Sequence, residues 1–307
     1  MTSKQSKILV ISDIHGNAEG LKAVLKKESD YDFLVFLGDS VLGGPQPKET
    51  AEILLDAKPD INIMGNHDEI LLDHLLIDKW PEDWRAYNQW AFKQIPSEII
   101  EITKTYSFSG KYEIGGVNFF LHHGQLNRSI PAAIPYADAS SFEAIDPGND
   151  CELVLFGHNH IQFTHELNGK TYINPGSVGQ PRCGRTHACY AVFEDGKYIP
   201  RQVSYDQRPW ISALDKIDDL RQYPKFVSLI FLKFNSKTLT FFCDQNNNSE
   251  SNRIIQLDDP FDICSKFLLT TPIKKPNNAK VKETKTNKNI INIGYSTVTS
   301  AKNEAVA

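Results

Sequence analysis

Seven side chains in the first 160 residues, Asp13, His15, Asp39, Asn66, His123, His158 and His160, are oxygen or imidazole donors, and nearly all stand where an apolar run stops. A mixed set of this kind suits divalent transition ions, with oxygens for the harder ones and imidazoles for the intermediate ones. Asp39 follows Gly38 and has two carboxylate oxygens, so it can bridge two ions. In Gly65-Asn66-His67-Asp68, Asn66 is a neutral oxygen donor beside the titratable His67.

Each motif taken alone has a plainer reading. Asp13-Ile14-His15 can turn two ligands towards one ion, yet an acid before a turn commonly caps the next helix, and Asn17 is well placed to do so. Gly-Asn is a frequent turn pair, and a single histidine is usually structural. The distribution of histidine favours chemistry. Of nine in the chain, six (His15, His67, His122, His123, His158 and His160) fall in these motifs. The other three, His74, His165 and His187, have no such company and are assigned no role.

The elements that must position these groups follow from the patterning. Residues 7–66 alternate apolar runs (KILVISD, DFLVFLGD, INIMGN) with amphipathic stretches (NAEGLKAVLKKE, PKETAEILLDA). This is βαβαβ spacing with a buried parallel sheet. Ligands of such sheets sit at the carboxyl ends of strands, where Asp13, Asp39 and Asn66 fall. Residues 68–101 read as a helical cap insertion over or beside the site, carrying Trp80, Trp84 and Trp90. YSFSGKYEIGGVNFFLHHG has the Gly-Gly punctuation of antiparallel strands. A Pro- and Ala-rich loop (124–140), the strand-like CELVLFGHNH and further short strands continue to Tyr205. Three units are expected: a domain over 1–205, an accessory α+β extension over 206–273, and a flexible basic polar tail over 274–307.

Composition narrows the partners. The chain has 307 residues, net charge −5 and pI about 6.0, which gives no global signal for a nucleic-acid or membrane-surface partner. Its five cysteines (Cys151, Cys183, Cys189, Cys243 and Cys264) form no CxxC pair, so reduced thiols and a cytoplasmic location are expected. The N-terminal apolar run is too short for a signal peptide. No stretch approaches the roughly 20 apolar residues of a membrane span.

The ordered blocks SDIHGN, GDSVLGGP, GNHD, HHG, GHNH and NPGSVGQPR resemble those of the calcineurin-like metallophosphoesterases, most closely the small bacterial-type phosphodiesterase branch, over residues 6–205. The resemblance implies an α/β class fold, a four-layer α/β/β/α sandwich, and a dinuclear site. It would place Asp13, His15, Asp39 and His160 on one ion and Asp39, Asn66, His123 and His158 on the other. His122 would lie behind the ligands or simply pack. Mn²⁺ is the first choice of metal, and Fe²⁺, Zn²⁺, Co²⁺ and Ni²⁺ accept the same donors. By the same resemblance, a hydroxide held between two ions roughly 3.5–4 Å apart attacks the phosphorus. His67 would protonate the leaving oxygen as general acid, with Asp68 orienting it or raising its pKa. Alternatively, His67 only contacts the phosphate. Asn66, His67, Arg182 and Arg128 are the candidate substrate-binding residues. In the NPGSVGQPR loop, Asn174 and Ser177 either shape the backbone or touch substrate.

One departure bears on substrate. Phosphoprotein phosphatases and dinucleotide tetraphosphatases carry an Arg-Gly pair after the second block, where this chain has Leu42-Gly43-Gly44-Pro45. The expectation is therefore a metal-dependent phosphodiesterase acting on a small phosphorylated or nucleotide-derived substrate. A phosphomonoesterase is the alternative, and a non-catalytic metal-bound interaction scaffold is the reading of another class. Oligomeric state is not legible in the sequence.

Overall fold

β1 (Ile8–Ile11) has no polar face: Ile8 and Val10 belong to one apolar core, Leu9 and Ile11 to another. β2 (Phe33–Phe36) divides in the same way, with Val35 on the first side and Leu34 and Phe36 on the second. Strands buried on both faces need cover on both sides, and helical crossovers supply it on one. α1 (Ala18–Lys27) starts at Asn17, whose Oδ1 accepts from the Gly20 N–H at 3.0 Å. α2 (Pro47–Ala57) opens on a proline, whose missing N–H is no loss at that position. These helices link β1, β2 and β3 (Ile61–Asn62) in parallel. The computed structural model describes residues 6–78, 80–124, 132–146, 148–182 and 186–223, with the backbone of Leu239–Thr240 and Ile254–Ile255.

A second sheet is built from β4 (Ser109–Ile114), β5 (Val117–His122), β6 (Leu153–Leu155), β7 (Gln162–Leu167) and β8 (Lys170–Pro175), in the order β4-β5-β6-β8-β7. β4 and β5 form the expected antiparallel hairpin, turning at Gly115 and Gly116 with φ of +57° and +81°, where a side chain would be strained. β9 (His187–Glu194) then returns antiparallel to β1, and β10 (Lys197–Ser204) pairs outside it, so the first sheet runs β10-β9-β1-β2-β3. The two sheets meet through Ile8, Val10, Val35 and Leu37 against Phe119, Leu121, Leu155 and Ile173. On the outer face of the second sheet, Phe142 of α6 (Ala139–Glu143) packs with Phe120, Val154 and Tyr172. The result is the four-layer α/β/β/α sandwich.

The segment after β3 is helical, as its pattern implies: α3 (Asn66–Leu72), a 3₁₀ turn (His74–Ile77), α4 (Glu82–Phe92) and α5 (Ser97–Thr103). Ile70, Leu71, Tyr87, Ala91 and Ile99 join the helix-side core, and Trp80, Trp84 and Trp90 pack half-buried against it. The boundary expected at residue 205 falls inside this same core. Trp210 and Leu214 of α7 (Arg208–Asp215), then Ile217 and Leu220, are buried in it, which takes the apolar face of α7 out of water. Tyr223 donates to Glu82 at 3.0 Å and ties this segment to α4. Beyond it, β11 (Leu239–Thr240) and β12 (Ile254–Ile255) pair antiparallel. The rest of the expected 206–273 extension, the tail, Arg128, Cys183, Cys243 and Cys264 lie outside the described residues. Among the described residues, no helix is long and apolar enough to cross a membrane.

Candidate metal centre

All seven candidate ligands converge at the strand ends. Asp13, His15 and His160 form one group whose donor atoms lie within 4.8 Å of one another, and Asp39, His123 and His158 form a second. Asp39 Oδ2 stands between the groups, 3.5 Å from His15 Nε2 and 3.3 Å from His123 Nε2. Asp13 Oδ1 is also central, 3.3 Å from His160 Nε2 and 4.0 Å from His123 Nε2. Asn66 Oδ1 lies 2.9 Å from His158 Nδ1. His67 donates its backbone N–H to Asp39 Oδ1 at 2.8 Å, and its ring is 4.9 Å from that of His15. His15, Asp39 and His67 make a third group of adjacent donors.

Three imidazoles are aimed by main-chain carbonyls. Nδ1–H of His15 donates to Leu42 O at 2.8 Å, that of His123 to Leu37 O at 2.6 Å, and that of His160 to Gln180 O at 2.9 Å. A carbonyl can only accept, so Nδ1 carries a proton in each, which leaves Nε2 of His15 and His160 to present a lone pair to the centre and turns Nε2 of His123 towards Asp39. The Nε2 atoms of His15 and His160 are 3.1 Å apart. Two lone pairs at that separation repel unless a cation or proton lies between them. His123 Nε2 is buried and, among the described residues, makes no hydrogen bond. These donors fit divalent ions.

The electrostatics agree. Burial holds His15 and His160 well below the ordinary imidazole range and takes His158 down to about 4, which keeps them neutral as ligands must be. His123 is the exception. Burial lowers it, but the carboxylates of Asp39 and Asp13 outweigh that and push it up to about 10. For Asp39, burial raises the carboxyl, while His123, His67 and His15 together bring it well below the carboxylate range. Positive charge on the neighbouring imidazoles thus keeps the Asp39 carboxylate charged, the role an ion would take.

The backbone is shaped for these contacts at a cost. Asp13, His15, Asp39, His158 and His160 have φ of +52°, +47°, +62°, +70° and +64°, making up five of the eight described non-glycine residues in that region. Each costs on the order of 1 kcal/mol. Strain concentrated on the candidate ligands marks them as a functional group of residues. Glycine permits the close approaches: a Cβ at Gly157 would lie 2.1 Å from Ser12 Oγ and 2.7 Å from Asp13 Oδ2.

The other sequence candidates divide. Asp68, expected to orient His67, is fully buried and instead receives the N–H groups of Asp39 (2.7 Å), Ser40 (2.9 Å) and Gly65 (3.0 Å), with the Ser40 hydroxyl at 2.5 Å. Its oxygens are taken up in pinning the turn after β2 to the start of α3. Burial and the Asp39 charge raise its pKa to about 6. His122 accepts from the Gly124 N–H at 2.8 Å, which makes it a turn residue. Arg182 is exposed at the rim, its Nη1 3.3 Å from Asn159 O, and its charge lowers His158 and His160. The NPGSVGQPR loop shapes backbone: Asn174 donates to Gly157 O at 2.7 Å, and Ser177 Oγ to Asp13 O at 2.7 Å. Ser12, Tyr87 and Gln180 were not singled out by the sequence. Ser12 Oγ donates to Asp13 Oδ2 at 2.6 Å, and Gln180 sits inside a recognised block, the one signal that could have drawn notice to it.

Comparison with known proteins agrees with this architecture. Residues 7–196 match the calcineurin-like phosphoesterase superfamily domain. An uncharacterized protein of Methanocaldococcus jannaschii is 31% identical over 221 residues, 66% of this chain and 89% of that one. The Bacillus subtilis protein named Probable metallophosphoesterase YsnB is 26% identical over 216 residues, 70% of this chain and 96% of its own. The crystal structure of a metallophosphoesterase from Sphaerobacter thermophilus aligns with a TM-score of 0.58 at 26% identity, covering 74% of this chain and 99% of that one. Since the domain match takes in every candidate ligand and the sandwich that gathers them, the chain belongs to the calcineurin-like phosphoesterase superfamily, whose chemistry depends on divalent metal ions.

Proposed function

We propose that the chain hydrolyses a phosphodiester with two divalent ions, Asp13, His15, Asp39 and His160 holding one and Asp39, Asn66, His123 and His158 the other. The observation that carries this reading is the position of Asp39 Oδ2, within 3.5 Å of an imidazole of each set. When bound, such a pair of ions activates water and neutralises the charge that builds on the phosphoryl group. The protein's own part is orientation and proton transfer. Leu37, Leu42 and Gln180 carbonyls fix the imidazoles, and the His67 ring, beside His15, protonates the departing oxygen. Mn²⁺ is the first choice of ion. A cytoplasmic setting is supported by the five cysteines forming no CxxC pair and by the buried free thiol of Cys151.

Two features favour a diester. The loop that carries an arginine in the phosphoprotein and dinucleotide branches is here Leu42-Gly43-Gly44-Pro45, buried throughout, so it brings no cation to the substrate. A diester has one negative charge, while a monoester near pH 7 has about −1.5 to −2 and needs more positive charge to hold it. Trp80, 5.9 Å from the His67 ring, adds aromatic surface on the leaving-group side, which suits a nucleotide-derived ester. With Mn²⁺, the purified protein should show a larger kcat/KM for bis(p-nitrophenyl) phosphate than for p-nitrophenyl phosphate. The reverse ranking would make it a monoesterase, and failure on both would favour a non-catalytic scaffold.

A further inference from the structure

The loop at residues 42–44 is held from two sides. Tyr87, wholly buried on α4, accepts from the Gly43 N–H at 2.7 Å and donates to Gly44 O at 2.9 Å. Gln180 donates through Nε2 to Gly43 O at 2.8 Å, while its own carbonyl receives Nδ1–H of His160 at 2.9 Å. The neighbouring carbonyl, Leu42 O, receives Nδ1–H of His15 at 2.8 Å. Gly43 and Gly44 also press on His15 directly: a Cβ at Gly43 would lie 2.8 Å from His15 Nδ1, and one at Gly44 2.2 Å from His15 O. The carbonyls that aim His15 and His160 are therefore mounted on one hydrogen-bonded frame, and the two Nε2 atoms they deliver are 3.1 Å apart. His123 takes its orientation elsewhere, from Leu37 O after β2, and His158 faces Asn66 of α3.

We propose that Tyr87 and Gln180 are positioning residues for one metal position only, the one formed by Asp13, His15 and His160 with Asp39. The inference rests on the two-ion reading given above. Through Tyr87, the helical insertion sets how firmly that ion is held, while the ion at His123 and His158 keeps its own support. Phenylalanine at position 87 preserves the ring but strands two buried backbone groups, the Gly43 N–H and the Gly44 carbonyl. The loop must then shift to find other partners, and Leu42 O moves with it. Loss of such an outer partner weakens metal binding by roughly 10- to 100-fold.

The test is the Mn²⁺ binding isotherm of the full-length protein, measured by calorimetry and by equilibrium dialysis. Wild type should bind two ions. Tyr87→Phe and Gln180→Leu should each weaken one equivalent by roughly 10- to 100-fold and leave the other unchanged. Tyr172→Phe is the control, since it removes a buried phenol bonded to Asp146 Oδ1 at 2.8 Å in the core beneath α6. It should lower the melting temperature with both affinities intact. Equal weakening of both equivalents, or no change in either, in Tyr87→Phe and Gln180→Leu would overturn the proposal. So would a change in binding by Tyr172→Phe equal to theirs. A wild-type isotherm with a single binding event would overturn the two-ion reading itself, and this proposal with it.

Discussion

Asp39→Asn is expected to lose metal-dependent turnover by on the order of 10³-fold or more in kcat/KM, the equivalent of several kcal/mol of lost charge stabilisation. The side chain keeps its size, so the effect isolates charge and donor pattern. Asp39 Oδ1 accepts the His67 N–H at 2.8 Å, and Oδ2 faces His15 and His123 at 3.5 and 3.3 Å. An amide can satisfy only one side. With its nitrogen at the Oδ2 position it points a donor into the metal cluster, and with its nitrogen at the Oδ1 position it sets donor against donor at His67. The fold should survive, because asparagine accepts the φ of +62° found at this residue. Steady-state rates on bis(p-nitrophenyl) phosphate, with circular dichroism to confirm folding, are the check. Undiminished turnover in a folded variant would contradict the assignment of Asp39 as the shared ligand.

His67→Ala should produce the second largest change, and one that depends on the leaving group. General acid catalysis contributes about 10²- to 10⁴-fold when the departing oxygen is a poor leaving group. An alkyl or nucleoside ester should therefore lose activity on that scale, while a p-nitrophenyl ester, whose leaving group departs without a proton, should lose far less. The geometry allows a competing role. His67 lies with His15 and Asp39 in a group of adjacent donors, from which it could bind an ion directly. A ligand role would depress all substrates equally and lower metal affinity. Comparing kcat across leaving groups in the same variant separates the two, since only the acid role produces a slope.

The parallel β1-β2-β3 core and the gathering of the candidate ligands at its edge were open to reading because both leave marks in residue type. ILVI and FLVF have no polar face, which forces them between two layers, and a chain that ends such runs in Asp13, Asp39 and Asn66 places those groups at one sheet edge. What was hidden depends on backbone. The carbonyls of Leu37, Leu42 and Gln180 that orient three histidines belong to residues whose side chains say nothing about that role. Left-handed φ at five candidate ligands is invisible for the same reason, because Asp and His are ordinary residues at most positions. Asp68 stands beside His67 in the chain, yet its oxygens accept from Asp39, Ser40 and Gly65, partners its sequence neighbourhood does not announce. The boundary at residue 205 was placed where motifs ceased, whereas Trp210 continues the same core. Motif density marks chemistry, and burial marks the limits of a domain.

Under the proposed function, hydrolysis by this chain depends on two ions that share Asp39. That dependence is tested most directly by stripping the protein with a chelator and titrating Mn²⁺ back while following bis(p-nitrophenyl) phosphate hydrolysis and bound metal together. No turnover is expected in the stripped protein, followed by a rise that saturates at two ions per chain. Full activity without metal, or saturation at a single ion, would contradict it.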